Sequence, residues 1–117
     1  MCIRDSALAI RERVLGPEHP DTASSLNNLG ALLRAQGDLA GARPYLERAL
    51  AIVERVLGPE HPDTAISYVN VGSLLVELDE SEEGRSLLEH AAQVFAAKLG
   101  PDHPYTRIAL GHLAALP

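Results

Sequence analysis

The octapeptide Leu15-Gly-Pro-Glu-His-Pro-Asp-Thr22 recurs unchanged at Leu57 to Thr64. It recurs again at Leu99 to Thr106, with Asp102 in place of Glu and Tyr105 in place of Asp. Both intervals are 42 residues, and Ala7 to Leu15 matches Ala49 to Leu57 at every position except Arg11 against Val53. Fidelity of this kind at a fixed period means a repeat architecture: each unit is too small to bury its apolar face alone and stacks on its neighbours.

The octapeptide reads as a helix stop followed by a helix start. Gly16, Gly58 and Gly100 suit a left-handed C-terminal cap, and Pro17, Pro59 and Pro101 block continuation of the helix. Pro20, Pro62 and Pro104 suit the first position of a new helix, where a missing N–H removes no bond. The histidine before each is biased toward extended backbone. Asp21 and Asp63 fall in the first turn, where negative charge complements the helix dipole.

One more break lies within each repeat, at Gln36-Gly37-Asp38 and at Leu78-Asp79-Glu80-Ser81. These stops predict helices at roughly 5–15, 20–36, 39–57, 62–78, 81–99 and 104–116. Leu26, Leu29, Leu32 and Leu33 follow helical spacing, as do Leu39, Ala42, Leu46, Ala49, Leu50, Val53 and Val56. Pro44, near the start of its helix, predicts a mild kink at most. Apolar residues are 46% of the chain and aromatic residues only 3%, so Ala and Leu, both good helix formers, dominate the core. No segment alternates with the period of a strand. The expected fold is all-α: an α-α superhelix, or solenoid, of antiparallel helix pairs, with two full repeats and a half repeat at each end. Residues 1–6 fit the repeat poorly and read as a non-repeat leader of foreign origin; residues 7–117 form the repeat domain, with junctions near 16–20, 58–62 and 100–104.

Large residues and Leu-Gly pairs recur within the helices. The first repeat supplies Leu26, Leu29-Gly30, Leu33, Ala42, Leu46 and Ala49; the second supplies Tyr68, Val71-Gly72, Leu75, Gly84, Leu88 and Ala91; a third begins with Leu110, Leu113 and Ala114. This pattern resembles the tetratricopeptide repeat (TPR), whose ordinary length is ~34 residues. Gly30 and Gly72 then lie where two helices of a pair come close, met by Ala42, Gly84, Ala49 and Ala91 on the partner helix. The longer period resembles the kinesin light chain subtype, through Arg48-Ala49-Leu50, Leu57-Gly58, His61-Pro62-Asp63 and Ser25-Leu26-Asn27-Asn28-Leu29. HEAT and armadillo repeats share the period but not the Leu-Gly and Ala signature, and a WD40 propeller is excluded by the absence of Trp and of strands.

The resemblance implies a protein–protein interaction scaffold, with the first helix of each pair lining a concave groove that holds a peptide or partner domain. Residues one repeat apart then form ladders. Asn28, Asn70 and His112 form the most suggestive one, because their side chains both donate to and accept from a peptide main chain. In light chains, asparagines at this position contact cargo peptides, which implies the same for Asn28 and Asn70, whereas His112 departs from the pattern. Ser24, Ile66 and Ile108, then Asn27, Val69 and Gly111, then Ala31, Ser73 and Ala115, and finally Arg34 and Val76, make the neighbouring ladders. Arg34 and Arg107 are the groove's expected cations, while Glu77, Asp79, Glu80, Glu82 and Glu83 cluster near the second break. The acidic cargo motifs of light chains need basic pockets. A neutral, apolar or basic peptide is therefore expected here.

The remaining composition narrows the function further. A net charge of −6 with a single lysine, Lys98, argues against nucleic acid as a partner. No stretch approaches the ~18 apolar residues of a membrane span, and Met1 to Ser6 lack the apolar segment of a signal peptide. Cys2 is the only cysteine, which excludes an internal disulfide and a Cys-based zinc site, and fits a reducing, cytoplasmic setting. His19, His61 and His103 recur with the repeat. Equivalent positions lie on the order of 10 Å apart in packed helices, too far to share an ion held by ~2 Å bonds; a structural role in the loop, with no metal and no cofactor, is expected. There is no phosphate loop, His-Glu-x-x-His or nucleophile elbow, so no catalytic residues are assigned and the chain reads as a non-enzyme. The competing reading is a structural spacer or self-assembling array. Ile108, Leu110, Leu113 and Leu116 would present apolar surface to solvent, allowing end-to-end self-association through uncapped termini.

Overall fold

The computed structural model describes residues 19–116, and the segment predicted as helix at 5–15 lies outside them. Five helices follow one another among the described residues: α1 Pro20–Ala35, α2 Leu39–Leu57, α3 Pro62–Glu77, α4 Ser81–Leu99 and α5 Pro104–Ala114. They fall into two compact units that divide between Val56 and Leu57. The fold is all-α, as the 42-residue period predicted.

The junctions behave as their residues dictate. Gly58 and Gly100 take positive φ values of 89° and 101°, ending α2 and α4. Pro62 and Pro104 then open α3 and α5. The preceding histidine does more than adopt extended backbone. It is the N-cap, and its Nδ1 accepts the N–H two residues on: Asp21 N–H to His19 at 3.0 Å, Asp63 N–H to His61 at 3.0 Å, and Tyr105 N–H to His103 at 3.1 Å. Each ring thus satisfies one of the orphan donors that every helix start carries. The threonine closing the octapeptide is buried in every copy, with Thr22, Thr64 and Thr106 at most 1% exposed. In the third copy its hydroxyl donates to the Gly100 carbonyl at 2.8 Å, tying helix start to helix stop.

The break inside each repeat is a Schellman turn. In the first, Gly37 has φ +85°, the Gly37 N–H bonds the Arg34 carbonyl and the Asp38 N–H bonds that of Leu33, at 3.0 and 2.9 Å. Asp38 then caps α2, its Oδ1 accepting the Gly41 N–H at 2.9 Å. In the second, Asp79 N–H bonds the Val76 carbonyl and Glu80 N–H that of Leu75, at 3.1 and 2.8 Å, but Asp79 holds the left-handed position with φ 66°. Pro44 lies inside α2, which the structure carries through it as one helix. At the other end, α5 stops at Ala114, two residues before the predicted bound, because Leu116 precedes Pro117 and such a residue disfavours helical backbone.

Within each unit the helices of a pair meet where small residues allow it. A methyl group on Gly30 would lie 2.5 Å from the Leu46 side chain, and Ala42 and Ala49 are fully buried. In the second pair the backbones themselves come closer: a Cβ on Gly72 would lie 3.0 Å from the Gly84 carbonyl oxygen, against 3.4 Å from Gly30 to that of Ala42. A Cβ on Gly84 would lie 2.6 Å from the Gly72 carbonyl oxygen. Around that crossing Leu74, Leu75, Leu88, Ala91, Val94 and Phe95 form the core of the second unit.

Candidate functional site

The residues of the predicted ligand face come from α1, α3 and α5, the first helices of their pairs. On α1, Ser24 and Asn28 are exposed, and Asn27 and Arg34 are half-buried. Asn27 holds its Oδ1 buried without a hydrogen-bond partner. On α3, Ile66, Val69 and Asn70 are half-buried, as is His112 on α5. Ser73 is only 6% exposed, and its hydroxyl donates to the Asn70 carbonyl at 3.4 Å.

Three of these residues converge on one feature. Ile66, Val69 and Asn70 of α3, Tyr105 and Ile108 of α5, and Phe95 of α4 line a cleft of about 210 Å³ in the second unit. Its walls are almost wholly carbon, and the Asn70 amide and Tyr105 hydroxyl are the polar side-chain groups among them. Phe95 forms the floor: it is 2% exposed and packs against Tyr105 with ring centroids 5.6 Å apart. Tyr105 and Ile108 form the rim and are 45% and 51% exposed.

Sequence reasoning placed Ile66, Val69, Asn70 and Ile108 on this face but did not find Phe95 and Tyr105. The signal for Tyr105 was present: it replaces the aspartate that Asp21 and Asp63 supply in the other copies of the octapeptide. A carboxyl side chain at this position of the octapeptide is thereby exchanged for an aromatic one. Phe95, the sole phenylalanine, reads from sequence only as core on the second helix, and core is what it is. Its ring reaches the cleft because α5 packs on α4 through Tyr105.

His90, single and unassigned in the sequence, has a defined place on the opposite helix. Its Nε2 lies 3.0 Å from the Pro59 carbonyl and 3.6 Å from a Glu60 carboxylate oxygen. Its ring meets the edge of Tyr68 at 4.7 Å between centroids. The side chain buckles the junction loop onto α4 and α3. Among the described residues no group of three His, Cys, Asp or Glu side chains stands close enough together to hold a metal ion, and no helix is long and apolar enough to cross a membrane.

Comparison with known proteins agrees with this fold. The tetratricopeptide repeat profile matches residues 5–21 and 22–63, and a second profile of the same description matches residues 63–116. No protein of curated function matches the sequence. Two structures of a Podosopora anserina protein described as a kinesin light chain of nearly identical TPR-like repeats, one a point variant, superpose with TM-scores of 0.88 and 0.87. Each is 27% identical over 95% of this chain and is covered over 52% and 53% of its own length. BtubC (BKLC) from P. vanneervenii shares the fold, with a TM-score of 0.85 at 22% identity over 96% of this chain and 45% of its own. The chain therefore spans about half the length of these solved relatives. From its repeat period, its helix pairs and these matches, the chain belongs to the tetratricopeptide repeat family, in the 42-residue form resembling kinesin light chains.

Proposed function

We propose that the chain is a non-catalytic interaction scaffold that seats an extended peptide on the face of its first helices. TPR repeats in general mediate protein–protein interaction. The observation that supports the finer reading is the cleft of Ile66, Val69, Asn70, Phe95, Tyr105 and Ile108. It offers apolar walls for one side chain and, at its edge, an amide that both donates and accepts for the peptide main chain. On α1 the exposed Ser24 and Asn28 stand at the same register as Ile66 and Asn70, and Asn27 and Arg34 flank them; we assign them the same role, with His112 its counterpart on α5. Ser73, buried and bonded to backbone, supports α3 from within. The reading includes a protein or peptide partner, no cofactor, no nucleic acid and a cytoplasmic setting.

Selection of linear peptides from a random displayed library tests this reading. Enriched sequences should lose binding to the Asn70→Ala and Ile108→Ser variants while these variants keep their helical circular dichroism. Enrichment that survives both substitutions overturns it.

A second reading, self-association, draws on α5. Leu110 stands at the register of Tyr68, which is 5% exposed beneath α4, yet Leu110 itself is 49% exposed. Sedimentation over a concentration range separates the two: a monomer throughout argues against pairing through this face.

A further inference from the structure

We infer that the peptide this cleft takes carries one large apolar side chain flanked by lysine or arginine; the inference rests on the reading above and specifies its ligand. Two observations carry it, one of size and one of charge.

The cleft volume, about 210 Å³, falls below the ~300–1,000 Å³ of pockets that engulf a small molecule. It exceeds the ~150 Å³ in which an engineered apolar cavity accepts benzene. One leucine, methionine or phenylalanine side chain matches it, and a polar side chain would leave its own groups unbonded against Ile66, Val69, Phe95 and Ile108.

The charge is distributed unevenly along the chain. Residues 57 to 117 hold nine acidic and three basic side chains, a net −6 equal to that of the whole chain, while residues 1 to 56 hold seven of each. The cleft lies entirely in the acidic half. Asp63, Ile66, Asn70 and Glu77 recur at helical spacing and form one stripe of α3. Asp63 stands one turn before Ile66, with its side chain 66% exposed, and Glu77 is exposed two turns beyond Asn70. Of the three basic residues of this half, Arg85 and Lys98 belong to α4. Arg107 of α5 is exposed and neighbours Ile108 in sequence, but it does not line the cleft, and it stands as one cation against the two carboxylates of the α3 stripe. A cation entering beside the apolar anchor meets carboxylates along α3, whereas an acidic flank meets like charge. In solution the effect reaches about one Debye length, ~10 Å at 0.1 M salt, which spans two or three residues on either side of the anchor.

Three nine-residue peptides with blocked ends and a central leucine test the inference, one flanked by lysines, one by glutamines and one by glutamates; a fourth keeps the lysines around a central serine. Titration by isothermal calorimetry at low and at 0.5 M salt is the readout. The lysine-flanked leucine peptide should bind at least tenfold more tightly than the glutamate-flanked one, with the gap narrowing at high salt. The central serine should abolish most of the binding, and so should Ile108→Ser, a substitution at an exposed position. Asp63→Asn with Glu77→Gln should weaken the lysine-flanked peptide about fivefold and leave the glutamine-flanked one unchanged.

Leucine peptides that bind equally whatever their flanks, yet fail on Ile108→Ser, overturn the basic preference and leave the peptide-binding reading standing. Lysine peptides that bind regardless of the central residue overturn the apolar anchor. No binding by any peptide, or a dimer of the chain that Ile108→Ser dissolves, overturns the inference outright, and library selection then decides the broader reading separately.

Discussion

A Cβ placed on Gly84 would lie 2.6 Å from the carbonyl oxygen of Gly72, so α3 and α4 touch backbone to backbone at their crossing. Real Cβ atoms do not approach an oxygen this closely, and neither partner is a flexible side chain that gives way. In the first repeat Ala42 occupies the position of Gly84, and the neighbour of Gly30 is instead the side chain of Leu46. The two pairs share one fold with different separations at the crossing.

Gly84→Ala should therefore destabilise the chain by about 1–3 kcal/mol, the range for overpacking a closed interface, even though alanine is the better helix former. Gly111 supplies the control. It lies within α5 with nothing inside 4 Å of an added methyl group. Gly111→Ala should stabilise by up to ~1 kcal/mol through helix propensity alone. Urea denaturation of both variants checks the opposite signs.

Asp79 holds the left-handed position that Gly37 occupies in the first repeat, at φ 66° against 85°. A side chain there carries a steric penalty of roughly 1 kcal/mol that glycine avoids. Asp79→Gly should raise the denaturation midpoint, and Gly37→Asp should lower it by a similar amount.

The histidine caps give a third prediction. His61→Ala removes the acceptor of the Asp63 N–H and should lose about 1 kcal/mol, the typical worth of an N-cap. His61→Asn should retain most of it, because an amide oxygen caps equally well. If the alanine variant matches the wild type in urea denaturation, the ring nitrogen does not contribute as the geometry implies.

How far the sequence carries the structure differs from residue to residue. The junctions were legible, because Gly58, Pro59 and Pro62 have conformational demands that few backbones meet. So were the crossings at Gly30 and Gly72, since only small residues permit close helices. The cap made by His61 was not: its position follows from the proline after it, but the bond from Asp63 depends on a ring rotamer that spacing does not fix. Asp79 in a left-handed turn was hidden for a related reason, as aspartate suits many loop conformations. Ladder positions were read from the repeat, which put Ile66, Asn70 and Ile108 on one face of the first helices, and in the structure all three line the cleft. The same reading grouped Ser73 with them, although its hydroxyl turns to the Asn70 carbonyl. Phe95 lies on the partner helix, and a ladder along first helices cannot reach it.

On the proposed function, a ligand sits in the cleft between α3 and α5. Two-dimensional NMR of the isotope-labelled chain, titrated with the lysine-flanked leucine peptide, tests it most directly. Saturable shifts should concentrate at the amides of Ile66, Val69, Asn70, Tyr105 and Ile108 and at the side-chain amide of Asn70. Shifts confined to other surfaces, or spectra unchanged at millimolar peptide, would contradict it.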